Sequence, residues 1–173
     1  MLHVIRYMLY VKCCFFICYT FFMKLFIGCD HRGFKLKNAL IEYLQEKDIR
    51  VEDLGNYEYD PLDDYPDFSK KVASAVLQDL ENSLGIMVCG SGVGASIAAN
   101  RFKKIRCGLG FEKDQVKHIK ERDQINILAL PSDYVDFEKA KILVDTFIET
   151  ETLKDEKYLK RINKIEELDL HHD

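Results

Sequence analysis

Residues 84–100 read LGIMVCGSGVGASIAAN. Leu84 to Cys89 is a short apolar run of strand length, and no polar residue interrupts it. Gly90-Ser91-Gly92-Val93-Gly94 then places three glycines before a short small-residue helix, Ala95 to Asn100. Glycine permits φ > 0 and lets another group approach the backbone closely. A strand, a glycine loop and a helix in this order bring several N–H groups together near a helix N-terminus, where an anion is favoured.

The same strand-then-helix unit recurs on either side. Upstream, Leu25 to Cys29 is an apolar run ending in Asp30 and His31, and Phe34 to Gln45 carries Leu36, Leu40, Ile41 and Leu44 at helical spacing. Arg50 to Leu54 is a second short strand. A polar, acidic loop from Asn56 to Asp64 follows, and Pro66 fits the first turn of a helix carrying Phe68, Val72, Val76 and Leu80. Downstream, Arg106 to Phe111 and Ile125 to Leu130 are strands. Asp114 to Arg122, Phe137 to Ile148 and Asp155 to Leu168 are helices. Strands alternating with helices predict an α/β fold, a Rossmann-like three-layer sandwich around a five-stranded parallel sheet. Ligands of such sheets bind at the carboxyl ends of the strands, near a topological switch point. That rule selects Asp30-His31 and Cys89 with its glycine loop.

The chain has 173 residues, 47% hydrophobic and 31% charged, with net charge −4. That suits one globular domain and excludes a disordered chain. An acidic balance also argues against a nucleic-acid partner. Six cysteines are present, but Cys13, Cys14 and Cys18 crowd an apolar leader, Met1 to Phe22. The leader lacks a small-residue cleavage site, and its apolar run is short for a membrane helix. The reading adopted is that residues 1–22 lie upstream of a natural start at Met23, with a domain over 23–168 and a tail over 169–173. Setting aside Arg6 and Lys12, the leader's only charges, takes the −4 to −6. Three dispersed cysteines then remain, as expected of a cytoplasmic protein, and no stable membrane insertion is expected.

Each motif admits a structural account beside a chemical one. The glycine loop fits a tight turn, a phosphate cradle, an oxyanion hole or, as G-x-G-x-x-A with Glu112 further on, a dinucleotide fingerprint. Cys89 is either a small buried hydrophobe or a base whose pKa is lowered by the loop amides. Asp30-His31 is a helix cap or a proton-transfer and sugar-binding pair. Lys157 and Arg161, four apart on one helical face, are a solvated stripe or a phosphate clamp.

Taken together the motifs are specific. Residues 28–37, GCDHRGFKLK, Asp64-Tyr65-Pro66, residues 89–100 and Asn126-Ile127-Leu128-Ala129 occur in the order in which type B ribose-5-phosphate isomerases carry similar segments. The resemblance covers nearly all of residues 23–167 and none of the leader. It implies an aldose–ketose isomerase of the non-oxidative pentose phosphate pathway that needs no metal or other cofactor. The implied substrate is a phosphorylated pentose, ribose 5-phosphate or ribulose 5-phosphate. It further implies a homodimer or tetramer with active sites at the interface, reached by the C-terminal helix. By position, Cys89 matches the base that moves the C1–C2 proton, and the backbone of Gly90, Gly92, Val93 and Gly94 matches the enediolate cradle. Ser91 matches a hydroxyl that helps proton transfer, and Asp30 a residue assisting ring opening. His31 and Tyr65 match substrate contacts, and Lys157 and Arg161 match two phosphate-binding arginines.

Two departures stand out. Arg122-Asp123 replaces a histidine–asparagine pair, and a charged guanidinium is no base near neutral pH. At that position Arg122 would contact phosphate or a sugar oxygen, and His118, one helical turn earlier, is a candidate replacement. Asp155-Glu156-Lys157-Tyr158 replaces Gly-Gly-Arg-His, and lysine lacks the bidentate fork of arginine. A hexose-phosphate isomerase of the galactose 6-phosphate type and a catalytically impaired sugar-phosphate-binding protein are the alternatives.

Overall fold

The computed structural model describes residues 23–168. The leader and the 169–173 tail lie outside the described residues. Five strands form one parallel sheet: β1 (Lys24–Cys29), β2 (Val51–Asp53), β3 (Ser83–Cys89), β4 (Cys107–Leu109) and β5 (Ile127–Pro131), in the order β2-β1-β3-β5-β4. Six helices accompany them: α1 (Phe34–Glu46), α2 (Tyr65–Leu77), α3 (Val93–Ala99), α4 (Lys113–Arg122), α5 (Phe137–Glu149) and α6 (Glu156–Leu168). The expected five-stranded parallel α/β sandwich is therefore present. The largest boundary differences concern β4, which pairs over three residues where six were expected, and α2, which ends at Leu77. Leu80 sits beyond α2 yet still packs against the α2 side of the sheet.

Side-chain alternation along the strands builds two cores. Leu25, Ile27 and Cys29 of β1, Leu84, Ile86 and Val88 of β3, and Leu128 and Leu130 of β5 face α1, α4 and α5. Their partners there include Leu40, Leu44, Val116, Leu143 and Phe147. Phe26, Met87, Cys89, Ile127 and Ala129 point the other way, toward α2 and α3, where Phe68, Val72, Val76, Ala95 and Ala99 meet them. Strands buried on both faces read as continuous apolar runs, which is how β1, β3 and β5 read in the sequence. The α5 helix starts where Asp136 accepts a hydrogen bond from the Lys139 N–H at 2.8 Å, the expected N-cap chemistry.

The chain leaves β1 for β2 on one side and returns past it to β3 on the other. The switch point therefore lies between β1 and β3. Their register pairs Cys29 with Val88, so Asp30 and Cys89 end neighbouring strands.

Lys37 of α1 is the one charged side chain among the largest fully buried groups. Its ammonium pairs with Asp53 at the end of β2. The other carboxylate oxygen of Asp53 accepts from the Gly55 N–H at 2.9 Å. Removing one partner of a buried pair strands the other charge, at a cost of about 3–5 kcal/mol, whereas an apolar replacement of both is nearly neutral. Asp53→Ala is expected to lower unfolding free energy by about 3 kcal/mol in urea titrations, and adding Lys37→Met to that variant to recover most of it.

Candidate active site

Cys89 ends β3 with its side chain under α2 and α3, and it is 3% exposed. Gly92 takes a left-handed conformation, φ +72°, which turns its N–H back to donate to Cys89 Sγ at 3.2 Å. Val93 N–H donates to Ser91 Oγ at 3.3 Å, and Ser91 itself is exposed. The loop is tied from outside as well: Ser132 N–H donates to the Cys89 carbonyl and Asp133 N–H to the Gly90 carbonyl, both at 3.0 Å.

Of the two readings of Cys89, a buried side chain or a thiol with a lowered pKa, the geometry favours the first. Burial pushes the Cys89 thiol up and the negative charges of Asp30 and Asp133 add to that shift, which the N–H groups of Ala95 and Gly92 oppose without reversing. Cys29 and Cys107 are pushed up to about 12 by burial, in keeping with packing roles.

Asp30 is 5% exposed, and its Oδ1 accepts from the N–H groups of Arg32 and Gly33, both at 3.0 Å. The carboxylate therefore shapes the turn before α1 without capping the helix, whose N-cap Gly33 has no side-chain cap hydrogen bond, while standing beside the Cys89 strand. Burial raises its pKa against those two N–H bonds. A side chain on Gly33 would run into the Val88 carbonyl, so the turn lies directly on β3.

His31 is held by a residue that sequence reasoning passed over. Asp63 Oδ1 accepts from the His31 backbone N–H at 2.9 Å and lies 2.7 Å from its Nδ1, while Asp63 Oδ2 accepts from Asn56 Nδ2 at 2.7 Å. Asp63 is one of several acids in the loop of residues 56–64, and nothing in its local sequence sets it apart. Its carboxylate raises the His31 pKa and so favours the imidazolium. Tyr65, at the start of α2, lays its ring across Gly94, where an added Cβ would come within 2.7 Å of it. The structure thus brings Asp30, His31, Tyr65, Cys89 and the glycine loop to one end of the sheet.

Arg122, Asp123, Lys157 and Arg161 are placed elsewhere. The α4 helix runs back from the carboxyl ends of the strands, and Arg122 and Asp123 fall at its far end. Arg122, Lys157 and Arg161 surround the ring of buried Tyr158 with their charged groups 5.6, 4.7 and 5.9 Å from its centroid. Arg106, just before β4, pairs with Glu166 of α6, which sets that helix at the amino ends of the strands. Within one protomer these cations lie at the opposite end of the sheet from Cys89. His118 is exposed on α4, across the sheet from the Cys89 face.

Glu112 pairs with Lys139 and follows β4, which β5 separates from β3. An acid there is two strands removed from the glycine loop, which argues against the dinucleotide fingerprint. Among the described residues, no group of three His, Cys, Asp or Glu side chains is placed to hold a metal ion. No described helix is long and apolar enough to cross a membrane. A cavity of about 1110 Å³ opens at the amino ends of the strands, between Met23, Ser83, Arg106, Lys120 and Glu166, and none of the nominated site residues lines it.

Residues 25–165 match the model of the ribose/galactose isomerase family. The chain is 38% identical over 141 residues to a probable ribose-5-phosphate isomerase B of Mycoplasma pneumoniae, covering 82% of this chain and 91% of that protein. It is 38% identical over 125 residues to the ribose-5-phosphate isomerase B of Escherichia coli K12, covering 72% and 83%. The crystal structure of ribose-5-phosphate isomerase B from Mycoplasma genitalium with bound ribulose-5-phosphate aligns with a TM-score of 0.82 at 34% identity, covering 86% of this chain and 97% of that one.

The His31–Asp63 pair has a definite pH signature. A histidine whose folded pKa lies above its ordinary 6.5 adds stability that is fully present below pH 6.5 and is lost as pH rises through the raised value. In Asp63→Asn the His31 resonance is expected to titrate nearer 6.5 by NMR, and the stability gained on acidification past that range to shrink.

Proposed function

The chain belongs to the ribose/galactose isomerase family, and on that premise we propose that the site at the carboxyl ends of β1 and β3 interconverts ribose 5-phosphate and ribulose 5-phosphate. The observation that carries this reading is the Cys89 sulfur, held at 3.2 Å by the Gly92 N–H and one residue from the Asp30 turn across the sheet.

The chemistry needs a base, donors for an oxyanion and a proton relay. With the open-chain aldose bound, the Cys89 thiolate takes the C2 proton. The C–H electron pair becomes the C1–C2 double bond, and the carbonyl π pair moves to O1. The glycine-loop N–H groups stabilise that enediolate, and losing one such donor costs about 10²–10³ in rate. The thiol returns its proton to C1. Ser91 carries the hydroxyl proton between O2 and O1, leaving the ketone at C2. Asp30, whose pKa burial raises, assists opening of the sugar ring, and His31, whose imidazolium form Asp63 favours, and Tyr65 contact the substrate.

Arg122, Asp123, Lys157 and Arg161 act in this reading at the site of a second copy. Three cations gathered around one ring and away from their own Cys89 support a homodimer or larger assembly in which α6 reaches the partner. The free, buried cysteines of the described domain suit a reducing cytoplasm. Residues 1–22 as a leader upstream of Met23, with residues 23–168 as the working domain, remain part of the proposal.

Protein beginning at Met23 is expected to turn over ribose 5-phosphate in preference to galactose 6-phosphate. Cys89→Ala is expected to lose about 10³-fold or more in kcat with folding intact. Faster hexose turnover would move the assignment to the hexose enzyme, and binding without turnover to a sugar-phosphate-binding protein. Because the working base is a thiolate that burial disfavours, kcat/KM is expected to climb with pH, with the midpoint of that rise above the ordinary thiol value. Shared sites give a further check. Cys89→Ala and Arg161→Ala, each inactive alone, are expected on mixing and reassembly to recover about a quarter of wild-type activity, since half of the two-fold dimers then hold one intact site of two.

A further inference from the structure

Arg32 is tethered to the site from several directions yet keeps a large exposed face. Its N–H donates to Asp30 at 3.0 Å, and its carbonyl accepts from Ser132 Oγ at 3.1 Å. Its side chain crosses the glycine loop so closely that a Cβ on Gly90 would lie 2.5 Å from Nε and 2.8 Å from Cζ. One Nη donates to Asp133, from the loop after β5. The side chain nevertheless stays 57% exposed.

A guanidinium carries five donors in a planar fork. Among the described residues, Asp133 is its one hydrogen-bonded partner, and it occupies one corner of the fork. The rest of the cation faces solvent above Gly90, one residue from the reacting sulfur and one from the cation-favouring His31. Asp133 offsets part of the charge and also aims the cation, since a flexible arginine would otherwise sample many rotamers. A fixed fork of this kind suits planar recognition of a doubly charged phosphate, the bidentate geometry that lysine cannot supply.

We propose that Arg32, aimed by Asp133, binds the phosphate of the sugar substrate at the mouth of the site. This rests on the sugar-phosphate reading above. The backbone can form the enediolate cradle without Arg32, so the side chain serves binding more than the proton transfer.

The test is steady-state kinetics of wild type, Arg32→Ala and Arg32→Lys with ribose 5-phosphate, together with competitive inhibition by inorganic phosphate. Arg32→Ala is expected to raise KM about tenfold or more, to change kcat less than about threefold and to weaken phosphate inhibition in parallel. Arg32→Lys keeps the charge without the fork and is expected to fall between the two. Because it preserves the bulk over Gly90, it also covers the case in which the alanine variant fails to fold. Unchanged KM and phosphate inhibition in a folded variant would overturn the proposal while leaving the isomerase reading in place. A fall in kcat at constant KM would overturn it as well, by assigning Arg32 to the oxyanion. A wild-type protein with neither turnover nor phosphate competition would overturn the isomerase reading and the proposal together.

Discussion

The pairing of β1 with β3 is the constraint on which the rest depends. Six residues of each strand lie side by side in one parallel register, from Lys24 with Ser83 to Cys29 with Val88. A slip of one residue would exchange the faces of every side chain along the strand. Cys89 would then point into the α1–α5 core, and Asp30 would no longer stand beside it. Both strands are almost wholly apolar and buried on both faces, so the register is held by two packed cores at once rather than by one.

The loops at the carboxyl ends are held by one another. The turn after β1 leans on Val88, the loop after β5 donates to the carbonyls of Cys89 and Gly90, and Ser132 reaches back to Arg32. Tyr65 closes on Gly94 from α2. No residue in this set depends on its own segment alone. Donors organised in this way need little rearrangement when charge develops on a substrate oxygen, which is where electrostatic catalysis draws its advantage.

Much of this was legible from residue order. Apolar runs of strand length followed by glycine or polar punctuation locate the strands, and the strand-end rule selects Asp30 and Cys89. What escaped depended on distance through space. Asp63 is one acid among several in the loop of residues 56–64, and only the fold turns it toward His31. Arg32 and Asp133 are 101 residues apart, so their pairing has no local signal. Residue order offers both burial and nearby amides for Cys89, and only the fold shows that burial outweighs the amides in setting the direction of its pKa shift. Lys157 and Arg161 share a helical face as their spacing required. Their distance from the site in one protomer follows from where α6 docks, which spacing cannot report.

The burial of Cys89 also bears on oxidative damage. Peroxides attack thiolate rather than thiol, and the first product is a sulfenic acid. A cysteine 3% exposed, with surroundings that disfavour its thiolate, offers such oxidants little to attack. The burial that disfavours the thiolate therefore also shields this cysteine from oxidants.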